Sequence, residues 1–407
     1  MDGNARIRAR IEGMRDRMVA LQRDLTAVPA LGPQNGGQGE WDKAQVLLRW
    51  LRDLGFPEAE VLSSPDPRVR RGLRPNIVVD AGRPGAAGGA LWIMTHLDIV
   101  PPGEASLWTG DPYLMREEGD RLIGRGVEDN QQGMVASIAA ALALRELSIA
   151  PARPVKLLFV ADEETGSDHG IRYLLGAHDL FSPGDHALVP DSGSADGTEV
   201  EIAEKSLLWL KVATRGKQCH ASTPGKGANA FVAASHLVMG IHGLNAKFTT
   251  ADPLFDPPVT TICPTRKDAN VPNINTIPGE DAFYVDCRIL PSLPPAEVLS
   301  AIRELAGKTE GEFGVTVDIG TVQANSSPPT PADAPIVKRL TAAIREVYGV
   351  SARTIGIGGG TVGAFLRQKG IDTVVWSRLR ETAHMPDESC SVSNMIGDAC
   401  VMAALML

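Results

Sequence analysis

A mixed α/β protein, built on a largely parallel sheet and interrupted by a smaller α+β insert, is the fold class this sequence predicts. Three observations carry the prediction. Strand-like apolar runs at 76–80, 90–95, 155–160 and 187–189 alternate with helical stretches, as in βαβ units with helices on both faces of the sheet. Near Lys205 the texture changes to a succession of strand, helix, strand, helix and strand at 207–214, 229–244, 281–290, 295–307 and 314–320. A polar, proline-rich segment at 325–331 (NSSPPTP) then reads as a hinge, after which the first pattern resumes.

Taken in order, Ile7, Ile11, Met14, Met18, Leu21 and Leu25 recur at steps of four and three, which places them on one face of a first amphipathic helix. A second helix over 41–54 stops at Gly55-Phe56-Pro57, and a long apolar one follows at 134–147. A shorter apolar run lies at 171–175. Beyond the hinge come a helix at 334–348 and strands near 353–357 and 373–377. The expected organisation is a discontinuous catalytic domain of residues 1–204 and 325–407, with an inserted lid or dimerisation domain of residues 205–324.

Composition excludes several functions. At 43% hydrophobic and 22% charged residues with a net charge of −9, the 407-residue chain has no electrostatic footing for nucleic acid or anionic membrane. The most apolar stretch, 134–144, is broken by Ser137 and falls far short of the ~20 residues a membrane span needs. The N-terminus is charged from Arg6 and shows no export signal, and the five cysteines are scattered without a CxxC pair. A reducing cytoplasmic location is the expectation.

Chemistry concentrates in six residues at strand ends and glycine turns: His96 (LWIMTHLD), Asp129 (GRGVEDNQQG), Glu163 and Glu164 (VKLLFVADEETG), Asp191 (ALVPDSG) and His384 (TAHMPDE). A lone acid at a strand end is usually a cap or a solvated loop residue. Two adjacent glutamates after an apolar strand, an HxD after another and further ligand types nearby point instead to a two-metal hydrolase site. His96 and Asp191 suit one ion, Glu164 and His384 the other, and Asp129 lies between them. Glu163 is left as general base and acid for a metal-activated water, and Asp98 as a group that orients an imidazole. Gly358, Gly360 and Gly363 formally satisfy GxGxxG, the basis of a remote dehydrogenase alternative. Only 44 residues follow Gly363, too few for the rest of a dinucleotide-binding domain.

Over nearly its whole length the chain resembles the M20 family of zinc aminoacylases and peptidases, the group of succinyl-diaminopimelate desuccinylase, acetylornithine deacetylase and carboxypeptidase G2. THLDIVP, GRGVEDNQQG, DEETGS, PDSG and AHMPDE match its motifs in order. The resemblance implies a zinc-aminopeptidase-like catalytic domain with a lid. It implies His96, Asp129, Glu164, Asp191 and His384 as ligands of two divalent ions (zinc, or else cobalt or manganese) and Glu163 as the catalytic acid/base. The peptide bond after the bridging aspartate, here Asp129-Asn130, is commonly cis in the family. One departure is Asn130-Gln131-Gln132 where many members have an acidic residue followed by Lys-Gly; it bears on substrate choice and not on metal binding.

In the lid, the context GKQCHASTPGKGANA implies that His220 stabilises the oxyanion, reaching a neighbouring subunit's site in a homodimer. Its neighbour Cys219 reads as packing. Asn275 matches a substrate-contacting asparagine, Arg288 offers a carboxylate clamp or a local ion pair, and Gly359 and Gly360 belong to a loop suited to the substrate's carboxylate. The expected activity is dizinc-dependent hydrolysis of an amide in an N-acyl amino acid, succinyl-diaminopimelate or acetylornithine-like, by metal-bound hydroxide. A dipeptidase or carboxypeptidase is the alternative, and a non-catalytic metal-binding protein a remote one.

Overall fold

The apolar runs form the inner strands of one eight-stranded sheet in a computed structural model that describes residues 3–82 and 89–407. Its order is Glu60–Pro65, Leu73–Gly82, Val155–Val160, Leu91–His96, His186–Val189, Asp372–Val375, Glu199–Glu204, Arg353–Ile357. The four strands from Val155–Val160 to Asp372–Val375 are mutually parallel, and antiparallel strands flank them. Every residue of Leu91–His96 is buried, which requires cover on both faces and explains why this strand reads as an unbroken apolar run. Helices Ile171–Ala177 and Gly363–Gln368 supply Ile171, Leu174 and Leu366 to a core with Trp92, Met94, Leu158 and Val375. The helix Gln131–Glu146 packs on Leu91–His96, and Val392–Met406 packs on that helix in turn. Gln131–Glu146 is buried from Gln131 through Leu144, so its apolar sequence serves the core. Among the described residues no helix is long and apolar enough to cross a membrane.

The expected first helix is two helices, Gly3–Glu12 and Arg15–Thr26. Gly13 is a poor helix former, and the Met14 N–H closes a tighter turn on the Ile11 carbonyl at 2.9 Å. All six residues of the periodic face are nevertheless buried, because the break preserves their common side.

The smaller unit has its own four-stranded antiparallel sheet, ordered Thr261–Lys267, Glu280–Ile289, Ser206–Arg215, Thr316–Asn325. Buried and less buried positions alternate along Glu280–Ile289, the mark of a sheet with one face on a core. That core joins Leu210, Val212, Phe283 and Val285 to Leu237 and Ile241 of helix Ala230–Gly243 and to Val298 and Ile302 of helix Pro295–Phe313. Two compact units result. The larger runs to Ile202 and resumes over Thr330–Thr354 and Thr361–Leu407; the smaller is Ala203–Pro329 with Ile355–Gly360. Residues 355–360, expected in the larger domain, group with the smaller one because the Gly356 N–H bonds the Leu254 carbonyl at 2.7 Å and the Lys205 N–H bonds the Ile357 carbonyl at 2.9 Å. A side chain at Gly356 would lie 2.4 Å from the Phe255 ring, so this crossing needs glycine.

Candidate metal centre

Parallel strands deliver the functional groups to one end of the larger sheet. His96 is the last residue of Leu91–His96, the turn Glu163–Thr165 follows Val155–Val160, and Asp191 stands just past His186–Val189, so all three lie at carboxyl ends of neighbouring strands. Asp129 lies two residues before helix Gln131–Glu146, and its peptide bond to the N-cap residue Asn130 is cis. His384 comes from the loop before strand Ser389–Ser391 and, like Glu381 and Asp387 in that loop, has a positive φ (64°, 61° and 52°). For non-glycine residues that conformation persists only where surroundings enforce it.

The six side chains converge. Asp129 Oδ1 is 2.9 Å from His96 Nε2, and its other oxygen, Oδ2, is 3.0 Å from His384 Nε2. His96 Nε2 is also 3.3 Å from Asp191 Oδ1, and His384 Nε2 is 3.1 Å from Glu164 Oε2. One carboxylate with its two oxygens turned to different imidazoles has the form of a bridging ligand between two ions. The spacing fits: two donors bound to one tetrahedral zinc at ~2.0–2.1 Å sit about 3.3 Å apart. Glu163 is present too, its carboxylate grouping with His96 and Asp191 within 4.8 Å. The His96 Nδ1 faces the Asp98 backbone carbonyl at 3.0 Å, which places the proton on Nδ1 and turns the Nε2 lone pair toward the cluster.

Electrostatics show that the cluster demands positive charge. Burial opposes charging His96, yet Asp191 and Asp129 raise its pKa well above the ordinary imidazole value. Hydrogen bonds to Asp129 and Glu164 push His384 up to about 10. Burial raises Glu163 strongly, with Asp191 adding to the effect, and raises Glu164 despite its bond from His384. Four acids share two imidazoles in a largely water-excluded place, and divalent ions would satisfy what protons otherwise must.

A set of buried charges holds these groups, most of it without a clear signal in the sequence. Glu388, fully buried, accepts the backbone N–H groups of Gly126, Glu128 and Asp129 at 3.1, 3.0 and 3.1 Å and the Arg125 guanidinium at 2.5 Å. Glu128 reaches the other way, taking the backbone N–H of Arg380 and, at 2.5 Å, that of Thr382. The loops of Asp129 and His384 therefore clamp each other. Asp98 meets two groups: its carboxylate accepts the Glu163 and Glu164 backbone N–H groups at 3.0 and 3.1 Å, and also lies 3.5 Å from His96 Nδ1, where it helps to raise the imidazole pKa. It grips the paired-glutamate turn through these two backbone donors, while its own backbone carbonyl takes the shorter contact with the imidazole. Arg74, wholly buried, binds Glu40 and lies 3.4 Å from Asp162, the residue before Glu163. Glu128 and Glu388 sit inside the quoted motifs, so an unassigned acid near a ligand was their only sequence signal; Arg74 and Glu40 had none.

Lys43 is 1% exposed, and its ammonium has no hydrogen-bond partner among the described residues. Burial lowers its pKa to about 8, against the pull of Asp98, Glu388 and Glu40. Between about 8 and 10.5 the unfolded chain therefore holds a proton that the folded chain lacks, so stability rises with pH across that window. Lys43→Met is expected to gain ~3 kcal/mol of unfolding free energy at pH 7 and nothing above about pH 11. Chemical denaturation at both pH values checks this, and an equal effect at each would show that packing, not charge, is involved.

The other sequence candidates lie in the smaller unit. His220 and Asn275 are neighbours there: His220 pairs with Thr276 across a two-stranded ribbon, and the Ala221 N–H bonds the Asn275 carbonyl at 2.9 Å. His220 Nδ1 accepts the Ser222 backbone N–H at 3.1 Å, which leaves the proton on Nε2 as an exposed donor. Of the two readings open for Arg288, the structure shows the local ion pair. Arg288 pairs with Asp286 at 2.7 and 3.1 Å and donates to the Gly358 carbonyl at 2.8 Å, so its fork is spent locally. Gly359 and Gly360 are exposed beside it, but the following helix, Gly363–Gln368, is only six residues long and brings little dipole to bear on an anion.

Comparisons with known proteins agree with this geometry. Residues 92–407 match the model of peptidase family M20/M25/M40. The chain is 36% identical to an uncharacterized metallohydrolase of Methanococcus maripaludis, over 94% of this chain and 96% of the relative. It is 25% identical to a succinyl-diaminopimelate desuccinylase of Methylocella silvestris, over 95% and 97%. The crystal structure of the aminopeptidase PepT from Bacillus cereus superposes with a TM-score of 0.75 at 19% identity, over 96% and 98% of the two chains, and shares the fold. With ligand types, spacing and family model in accord over most of its length, the chain belongs to peptidase family M20/M25/M40 and is a metallohydrolase of amide bonds.

Proposed function

We propose that the protein hydrolyses the amide bond of an N-acyl amino acid carrying a free carboxylate, of the succinyl-diaminopimelate or acetylornithine kind, with two zinc ions. The observation that carries this reading is Asp129, whose two oxygens face His96 at 2.9 Å and His384 at 3.0 Å. Asp191 and His96 would hold one ion, Glu164 and His384 the other. Ions so held would polarise the amide carbonyl and lower the pKa of a bound water. Glu163, kept beside the ligands by the grip of Asp98 on its backbone, takes the proton of the attacking water and delivers it to the leaving amine. His220, with its Nε2 proton outward, is the donor proposed for the oxyanion. The desuccinylase relative favours an acyl-amino-acid substrate over a dipeptide.

The proposal includes a cytoplasmic homodimer joined through the smaller unit. Phe231, Val232 and Met239 form an exposed apolar face on helix Ala230–Gly243, and Thr316–Asn325 is an edge strand. A single-chain mass in sedimentation would remove the dimer.

The test is metal content by elemental analysis, with hydrolysis of N-succinyl, N-acetyl and dipeptide substrates before and after chelation. Two zinc ions per chain and chelator-sensitive deacylation are expected. Turnover of dipeptides alone would replace the substrate class, and a protein that binds no divalent metal would end the reading.

A further inference from the structure

We infer that Asn130 is a positioning residue for Asp191, tying one ligand of the centre to the residue that bridges it. The inference rests on the two-metal reading above. Asn130 is 1% exposed, and its Nδ2 donates to Asp191 Oδ1 at 2.6 Å and to the Pro190 carbonyl at 3.0 Å. Both protons of one amide nitrogen are thus used on one turn. The Asp191 oxygen that receives the bond is the same Oδ1 that faces His96 Nε2 at 3.3 Å. Because Asn130 directly follows Asp129, one residue joins the bridging carboxylate's loop to the Asp191 turn.

The contact is built into the backbone. A side chain at Gly133 would place its Cβ 2.7 Å from the Pro190 ring and carbonyl, so glycine lets the first turn of helix Gln131–Glu146 press against the 190–191 turn. The amide has one orientation, since reversing it would set its oxygen against two acceptors, Asp191 Oδ1 and the Pro190 carbonyl. Its Oδ1 is buried with no hydrogen-bond partner among the described residues. An apolar side chain of that shape would avoid this cost, so what the buried amide contributes is its two donated bonds.

The chemical consequence is selective. A bond from a neutral donor holds Asp191 Oδ1 in place before the ion arrives, and loss of such a supporting bond typically weakens metal affinity 10–100-fold. Glu164 and His384 receive no bond from Asn130, so the ion they hold should be indifferent to its loss.

Metal-free wild type, Asn130→Ala and Asn130→Leu, the last close in shape without donor or acceptor, would be titrated with zinc by calorimetry in a competing chelator. Their folding would be checked by circular dichroism and thermal unfolding without metal. The expected result is two binding steps in the wild type, with one weakened about 10–100-fold in both folded variants and the other kept. Two unchanged steps, or two steps weakened together, would overturn the inference. So would failure of both variants to fold, which would make Asn130 a folding determinant. A wild type that binds no zinc would instead sink the two-metal reading itself.

Discussion

Glu163→Gln is expected to lower kcat by ~10²–10⁴-fold, the usual contribution of a positioned proton-transfer group, while two metal ions stay bound. Glutamine keeps the shape of the side chain and cannot accept the proton of an attacking water. The backbone of residue 163 stays pinned by Asp98 at 3.0 Å, so the neighbouring Glu164 should not move. Steady-state kinetics with elemental analysis on one preparation decides the matter. Loss of an ion would make Glu163 a ligand, a role its grouping with His96 and Asp191 within 4.8 Å makes worth measuring. Near-normal kcat with both ions bound would move proton transfer to another group.

Asp129→Ala is expected to abolish hydrolysis and to leave less than one ion per chain at stoichiometric zinc. One of its oxygens stands 2.9 Å from His96 Nε2 and the other 3.0 Å from His384 Nε2, so on the two-metal reading removing them strips a ligand from each ion at once. The paired histidines also lose the carboxylate that does most to raise His384. His384→Ala, by contrast, removes a single ligand and should cost one ion. Retention of two ions by Asp129→Ala would show that the carboxylate does not bridge.

How much of this was legible in the sequence varies by residue. His96, Glu163, Glu164 and Asp191 stood out because His96 ends an apolar strand and the three acids lie just past others, and parallel strands bring their carboxyl ends together whatever lies between them in the chain. For Arg288 two readings stayed open, because whether a guanidinium faces a ligand or Asp286, two residues away on the same side of its strand, depends on rotamers and on the Gly358 carbonyl that tertiary folding brings near. The break at Gly13 escaped for a different reason: both helices keep the same apolar face, so periodicity carries no trace of it. The roles of Glu128 and Glu388 are invisible until the loops of Asp129 and His384 meet, since each carboxylate binds backbone groups more than 250 residues away.

By itself, then, the sequence determined most of the elements, the two kinds of sheet and which donor side chains stand together at the strand ends, because hydrophobic period and donor chemistry are local properties of residues. Only the tertiary structure decided which oxygen faces which imidazole, that Asp98 holds the paired-glutamate turn as well as facing the His96 ring, and that Asn130 meets Asp191. Those outcomes depend on distances of about 3 Å between groups remote in the chain, and a hydrogen bond at such range is set by packing, not by composition.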